Sequence, residues 1–173
     1  MKDLEMKLVS ELMKNSRRSD MELAKVLGTC QPTVSRMIKR LQKEGIVKAY
    51  SMIPDFAKLG FSVMAVTFIK TGPDMPPDVA DVLVKAVREV EKKRGLKIIM
   101  FVRGMGMGYD VMAVSVHESY SAYVEAIKEV REAASQRFEG VETFLADLHE
   151  TKYDPLSMSK FADYLSIHTG RGF

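Results

Sequence analysis

The order of apolar patterns after residue 60 restricts the possible folds of this chain more than any other feature of its sequence. Four segments have the composition of strands, at residues 61–70, 96–104, 110–117 and 141–154. Apolar residues recur at helical spacing over residues 77–94 and again from Tyr120 to about Gln136. The predicted order is therefore strand, helix, strand, strand, helix, strand.

That order predicts a split βαβ, ferredoxin-like unit, in which two helices cover one face of a four-stranded antiparallel sheet. The opposite face of such a sheet needs a partner, so we expect the chain to form at least a dimer.

The first 45 residues follow a helical period instead. Residues 3–15 predict an amphipathic helix, and a second, short helix is expected to run from an N-cap at Asp20 to Gly28. A third helix is predicted to carry Pro32 in its first turn and to end at Gly45. Three helices with a tight glycine-containing turn before the last one predict a helix-turn-helix.

The third helix combines an apolar face with a basic stripe. Arg36, Lys39, Arg40 and Lys43 recur at i, i+3, i+4 and i+7. In a helix-turn-helix the third helix enters the major groove of double-stranded DNA with its N-terminal residues toward the base edges. The predicted base-reading residues are therefore Thr33, Ser35 and Arg36, with Gln31 reaching a base or a phosphate. The predicted phosphate contacts are Lys39, Arg40, Lys43, Arg17 and Arg18.

The distribution of charge supports a polyanionic partner. Residues 1–50 hold eleven lysines and arginines against six acids, an excess of +5, whereas the rest of the chain has a net charge of −2. A basic stripe alone is more often a solvated face, but the capped helix, the glycine turn and this asymmetry favour DNA contact.

These residues carry a resemblance to a known family. The stretch LAKVLGTCQPTVSRMIKRLQKEGIVKAYSMIPDFAKLG resembles the DNA-binding half of the Lrp/AsnC (feast/famine) transcription regulators, and the segment around VRGMGMGYDVMAVSV is similar to their effector and oligomerisation domain. The resemblance covers roughly residues 1–153. It implies recognition by Gln31–Lys43, dimers built through the sheets, often assembled into tetramers or octamers, and a small effector near the glycine-rich loop.

The predicted fold class is α+β, a winged helix-turn-helix followed by a ferredoxin-like βαββαβ domain. The expected parts are a DNA-binding domain at 1–50, a linker strand and turn at 51–60, an effector and oligomerisation domain at 61–153 and a tail at 154–173. Strand character begins at IVKAYSMI, residues 46–53. The sequence departs from the family at Cys30, where serine is the common N-cap, so a poorer cap is expected because a thiol is a weak acceptor.

The segment 104–110 predicts a glycine-rich loop and a second candidate site. Backbone N–H groups of Gly104, Gly106 and Gly108 suit a carboxylate, and Asp110, beside Tyr109, suits an ammonium group. These residues predict an amino-acid effector site. The alternative, given equal weight, is a plain hairpin with glycines at positive φ.

Two other functions stay open at this point. The same two-domain architecture resembles subunits of a haem-pathway, sirohaem-type decarboxylase, in which His117, His149 and basic residues would bind an acidic tetrapyrrole. A third possibility is an effector-binding oligomer that acts mainly as a scaffold. The sequence shows no nucleophile, paired-carboxylate or metal constellation, so we expect no enzymatic activity, cofactor or metal.

The single cysteine allows no intrachain disulfide, which is typical of a reducing cytoplasm. The sequence contains neither an apolar run of about 18 residues nor a signal peptide, so we expect a cytoplasmic protein.

Overall fold

A computed structural model describes residues 3–71, 97–134 and 138–150, together with residues 158, 161–163 and 165. The chain divides into two compact units. The helical unit comprises Met1–Ile53 and Tyr153–Phe173, and the sheet unit comprises Pro54–Lys152. The helix predicted over 77–94 lies outside the described residues.

The helical unit contains the three predicted helices. These are α1 (Asp3–Lys14), α2 (Asp20–Leu27) and α3 (Gln31–Lys43). Their apolar faces meet in one core, formed by Leu8, Leu12, Leu23, Ala24, Val34 and Leu41. The helical period of the first 45 residues therefore predicted this unit correctly.

The predicted N-cap of α2 is wrong by one residue. Ser19, not Asp20, has the extended conformation of an N-cap, with φ −69° and ψ 156°. Its hydroxyl accepts a hydrogen bond from the Glu22 N–H at 3.2 Å, and its own N–H donates to the Glu22 carboxylate at 2.7 Å. This reciprocal capping box satisfies two backbone donors at once, which Asp20 one position later would not do.

Both predicted helix ends are confirmed. Gly28 follows α2 in the left-handed conformation at φ 64°, which a residue without Cβ adopts at little cost. After α3 the N–H of Ile46 donates to the carbonyl of Leu41 at 2.9 Å and closes the helix at Gly45. At the start of α3, Pro32 lies in the first turn, and the Cys30 side chain makes no capping hydrogen bond, as expected for a thiol.

The strand predicted around residues 46–53 is wrong for the described chain. Between α3 and the first strand of the sheet, the described residues contain only irregular structure and a turn at residues 56–60. Ile46, Tyr50, Met52 and Ile53 are exposed there. A strand forms only where a neighbour pairs with its backbone, and these residues have no such neighbour in the described part of the chain.

The sheet unit has the predicted topology. Its strands are β1 (Val63–Thr71), β2 (Lys97–Gly106), β3 (Tyr109–His117) and β4 (Phe138–Asp147), with α4 (Tyr120–Ala134) between β3 and β4. The sheet order is β2-β3-β1-β4 and all pairs are antiparallel, as in a ferredoxin-like fold. β4 ends at Asp147 and not at 154, because its partner β1 begins at Val63, which pairs with Asp147.

The face of the sheet opposite α4 carries exposed apolar side chains on its edge strands β2 and β4, whereas Val114 and Val116 of the inner strand β3 are buried on that face. Ala65 and Ile69 of β1 are buried on the face that α4 covers, where the Tyr123 ring packs edge-on against His117 at 5.5 Å. Side chains alternate between faces, so Phe144, which pairs with Val66, lies on the other face. Phe144 is 66% exposed, and Met100 and Val102 on the same face are also exposed. We call this apolar face the open face; that a partner covers it stays a prediction.

Candidate functional site

The fold of the helical unit gives α3 one buried and one exposed side. Val34 and Leu41 are fully buried in the core. The opposite side presents long polar and basic side chains to solvent, namely Gln31, Arg36, Lys39 and Lys43. Arg17, just ahead of α2, is exposed as well. The helix-turn-helix thus displays a basic surface that begins at the N-terminal end of α3.

The exposed cations differ in how much of their hydrogen-bonding capacity the chain itself uses. Arg36 donates through Nε to the carbonyl of Pro32, one turn earlier, at 3.3 Å, which leaves its terminal nitrogens available. Lys39 and Lys43 form no hydrogen bond or ion pair within the described chain. These side chains are therefore free to bind an external anion.

Two predicted phosphate contacts are instead engaged within the unit. Arg40 forms an ion pair with Glu5 of α1, a buried carboxylate, and its Nε lies 3.7 Å from Glu44. Arg18 forms an ion pair with Glu11. Both guanidinium groups hold the helices together, and a phosphate would have to compete with these carboxylates.

Glu5 is a residue that the sequence interpretation missed. It lies one helical turn before Leu8, on the apolar side of α1, and acids are almost never buried without a cationic partner. An acid in that register was a usable signal that a lysine or arginine elsewhere must approach it.

Two hydroxyl groups predicted to read bases are also partnered. Ser35 donates to the Asp20 carboxylate and so ties α3 to α2. The Thr33 hydroxyl lies 3.1 Å from the Cys30 thiol. The Thr33 hydroxyl, with a smaller contribution from the charge of Arg36, holds the pKa of the exposed Cys30 thiol below its usual value.

The glycine-rich segment is more ordered than predicted. The loop expected over residues 104–110 is a hairpin in which Gly104 and Gly106 belong to β2 and Tyr109 and Asp110 belong to β3. Only Met107 and Gly108 form the turn, at φ 53° and 82°. Two successive positive φ values are typical of a tight two-residue turn whose twist matches the flanking strands.

The polar groups of this hairpin bind mainly to the sheet itself. Asp110 accepts hydrogen bonds from the N–H of Thr71, at 3.0 Å, and from the Thr71 hydroxyl. The Tyr109 hydroxyl binds Glu142, which raises the pKa of that hydroxyl. Asp110 and Tyr109 are therefore engaged within the sheet, and the amino-acid site stays a prediction.

Space remains around the glycines. A Cβ atom added to Gly104 or Gly106 would meet nothing within 4 Å in the described chain, and neither residue has a positive φ. Neither backbone strain nor internal packing in the described residues therefore requires glycine at these positions. Met105 beside them is 100% exposed.

The two histidines proposed for the decarboxylase alternative are engaged within the sheet unit. His117 is 5% exposed, its Nε2 lies 2.9 Å from the Ser115 hydroxyl, and burial lowers its pKa. His149 lies 3.2 Å from the Ser62 hydroxyl. Within the described residues no group of three or more His, Cys, Asp or Glu side chains could hold a metal ion. Nothing in these contacts supports the decarboxylase alternative.

None of the helices in the described part of the chain combines the length and the apolar character needed to cross a bilayer.

Known proteins share both the sequence pattern and the fold. The model of a winged helix-turn-helix DNA-binding family matches residues 1–48. The uncharacterized HTH-type transcriptional regulator PH0061 of Pyrococcus horikoshii is 36% identical over 88 residues, 51% of this chain and 57% of the relative. The chain thus spans little more than half of that relative. The HTH-type transcriptional regulator LrpA of the same organism is 32% identical over 99 residues, 56% of this chain and 70% of LrpA.

Solved structures extend the likeness over both units. The crystal structure of PH0061 has a TM-score of 0.73 at 25% identity, and the match covers 91% of this chain and 97% of that one. The transcriptional regulator NMB0573 of Neisseria meningitidis, solved as a complex with L-Met, has a TM-score of 0.72 at 15% identity, covering 93% and 99% of the two chains. At that identity the likeness is one of fold alone. Taken together, these matches show that the chain belongs to the Lrp/AsnC family of transcriptional regulators.

Proposed function

We propose that this chain is a sequence-specific DNA-binding transcriptional regulator that acts as a dimer and responds to a small metabolite. The observation that carries the proposal is the exposed side of α3. There a helix-turn-helix presents cations that have no partner in the described chain, beside a neutral amide and an arginine at the helix start. Such an arrangement places base-reading groups ahead of phosphate-binding groups along one helix.

The structure narrows the contacts that we propose. Gln31 and Arg36 are the base-reading residues, since both are exposed near the N-terminal end of α3. Lys39 and Lys43 bind phosphates. Arg40 has a secondary role toward DNA, because its ion pair with the buried Glu5 must be maintained to keep that carboxylate compensated.

The open face of the sheet is the dimer surface that we propose. A contiguous apolar face with exposed aromatic and methionine side chains is unusual on a monomer and typical of an association surface. A two-fold axis across this face would bring Phe144 and Met100 of each copy against the other sheet and would give each dimer two helix-turn-helix units. Tetramers or octamers would use other surfaces.

We place the effector near the β2–β3 hairpin, with an amino acid as the first candidate. The support is the open space at Gly104 and Gly106, where the described residues do not require glycine. The N. meningitidis regulator with this fold was solved with L-Met. In this chain Asp110 is already bonded to Thr71, so its remaining acceptor capacity would have to receive the ligand's ammonium group.

The test is DNA binding by the full chain. Duplexes selected from random sequence would be titrated by fluorescence anisotropy at about 50 and 200 mM salt, with and without each amino acid. Affinity should fall steeply with salt and depend on sequence. Absence of binding at about 50 mM salt would overturn the proposal, because even non-specific affinity appears at low salt. Binding unchanged by all twenty amino acids would overturn only the amino-acid effector.

A further inference from the structure

Ser10 is buried in a place that the helix-turn-helix core does not explain. Its side chain is fully buried, and its hydroxyl donates to the carbonyl oxygen of Ala162 at 2.7 Å, across 152 positions of sequence. Ala162 is fully buried as well. A polar group loses its contacts with water on burial, so this hydrogen bond is what compensates the hydroxyl.

The contact lies on the outer side of α1. Leu8 and Leu12 face the core shared with α2 and α3. Ser10 is about 200° around the helix from Leu8, since successive residues turn by about 100°. One turn later on the same side, Lys14 pairs with Asp163 at 3.1 Å. Helix α1 is therefore packed on two sides, against the core and against the C-terminal segment.

The residue types at the contact suit a close approach. Ser10 and Ala162 are small, which lets two backbones come near each other, because the distance between packed helices depends on the side chains at the contact. The N–H of Ala162 donates to the carbonyl of Met158 at 2.9 Å, so the segment is helical there. Leu165, about one helical turn after Ala162, is buried too.

We propose that the C-terminal segment around Ala162 and Leu165 is an integral part of the DNA-binding unit and positions α1 against the recognition helix. Glu5, on the same helix α1, pairs with Arg40 of α3. The contact between Ser10 and Ala162 holds α1 in place and so supports the ion pair between Glu5 and Arg40. The segment therefore controls DNA affinity without touching DNA. This inference rests on the proposed function, of which it names a positioning element.

The docked segment also has a topological consequence. The chain passes from the helical unit to the sheet unit after Ile53 and returns to the helical unit after Lys152. The two units are thus joined by two covalent connections.

The test compares two substitutions that lie far apart in sequence and on opposite sides of one contact. In the full chain, Ser10→Leu and Ala162→Leu each insert a branched side chain where two backbones approach closely. We expect hydrogen exchange of the α1 amides to become about ten- to a hundredfold faster in both variants, and DNA affinity to fall by a similar factor. Exchange in β1 and β3 should stay unchanged, which shows that the variants remain folded.

Two milder variants serve as controls. Ser10→Ala removes only the hydroxyl, so it should give a smaller effect in the same direction. Asp163→Asn removes an exposed ion pair and should change affinity by less than about fivefold, because such pairs contribute little.

The outcomes separate this inference from the proposed function. Faster α1 exchange in Ser10→Leu but not in Ala162→Leu would overturn the docking, and faster exchange in both with unchanged DNA affinity would overturn the positioning role. If the unsubstituted chain bound no DNA, the proposed function would fail, and the positioning role would fail with it.

Discussion

The exposed side of α3 and the β2–β3 hairpin differ in how their polar groups are used. On α3, Lys39 and Lys43 have no partner in the described chain, and Arg36 uses only one of its nitrogens. In the hairpin, Asp110 is bonded to Thr71, and Tyr109 is bonded to Glu142. One region has surplus charged groups, whereas the other has its groups committed to its own sheet.

This difference shows what a single copy of a chain can reveal. Exposed cations that have no partner in the described chain can be recognised before any anion binds them, so the proposed DNA surface is visible without DNA. In the hairpin, the side chains of Asp110 and Tyr109 already bind groups of the same sheet, and only the space beside Gly104 and Gly106 is open in the described chain. A ligand there must use that space, or groups brought by a second copy.

The largest expected effect tests the surplus charge of α3. Replacing Lys39 and Lys43 together by alanine should weaken binding to every duplex by at least about a hundredfold, since each charged hydrogen bond contributes about 1.5–3 kcal/mol. The slope of log affinity against log salt should fall by about 2. The matched control is Lys58→Ala with Lys128→Ala, which removes two exposed lysines from the sheet unit. An equal loss in the control would mean that the charge of α3 has no special role.

The next effect concerns sequence preference. Arg36→Ala should reduce discrimination between the selected duplex and its point variants by about 1–3 kcal/mol at one position, because a bidentate arginine–guanine contact is lost. Lys43→Ala should weaken all duplexes alike. Anisotropy titrations over a panel of single-base variants measure both. Exchanged phenotypes would show that the C-terminal end of α3, and not its start, reads the bases.

The hairpin is tested by separating the two roles of Asp110. Asp110→Ala should lower the free energy of unfolding by about 1–3 kcal/mol, because the Thr71 N–H loses its acceptor. Thr71→Val removes the hydroxyl hydrogen bond but keeps the carboxylate, so it should destabilise the chain while sparing effector binding. Urea unfolding and calorimetric titration with amino acids give the two readouts. If Asp110→Ala lost the amino-acid response but kept its stability, Asp110 would serve the ligand and not the sheet. The hairpin would then resemble α3 in having a polar group available for binding.

A smaller effect is expected from pH in the sheet unit. Burial lowers the pKa of His117 below its ordinary 6.5; Glu118 opposes this shift and Lys97 adds a smaller lowering effect. The unfolded chain therefore binds this proton more readily than the folded chain, and stability should fall as pH drops below about 6.5, by at most about 1.4 kcal/mol per pH unit. Urea unfolding at pH 7 and pH 5 measures the loss. His117→Gln should show a smaller pH dependence, and an identical one would remove His117 as its source.

The smallest effect tests the cap of α3. Cys30→Ser should leave stability unchanged or raise it by up to about 1 kcal/mol, since a hydroxyl caps a helix better than a thiol. Thermal unfolding of the two proteins decides the sign. A lower midpoint in the serine variant would mean that the contact between the Cys30 thiol and Thr33 stabilises the turn more than a cap would.

Local chemistry predicted most of the fold. Three helices, the end of α2 at Gly28 and the four strands of the sheet were predicted correctly, because each depends on residues that are close together in the sequence. The N-cap of α2 was predicted at Asp20 instead of Ser19, because serine and aspartate both cap helices well. The sequence did contain the signal for Ser19, since a serine three positions before Glu22 is the pattern of a capping box. The strand expected at residues 46–53 requires a pairing neighbour that no local pattern supplies.

The candidate sites were less predictable for a related reason. The residue types of α3 indicated a basic stripe, but which cations remain free depends on acids of α1 far away in sequence, such as Glu5 for Arg40. Likewise, Asp110 was expected to receive an ammonium group, and its bond to Thr71 follows from strand register. The contact between Ser10 and Ala162 has no sequence signature, because small residues are common on helices.

The contact between Ser10 and Ala162 also sets an order of events during synthesis. A ribosome adds about 5–20 residues per second, so roughly 8–30 s pass between the emergence of Ser10 and that of its partner 152 positions later. Throughout that interval Ser10 lacks the carbonyl of Ala162, while every residue of the sheet unit emerges before residue 153. The earliest part of the DNA-binding unit to be made is therefore completed last. A nascent chain therefore releases every residue of the sheet unit before it releases the last residues of the DNA-binding unit.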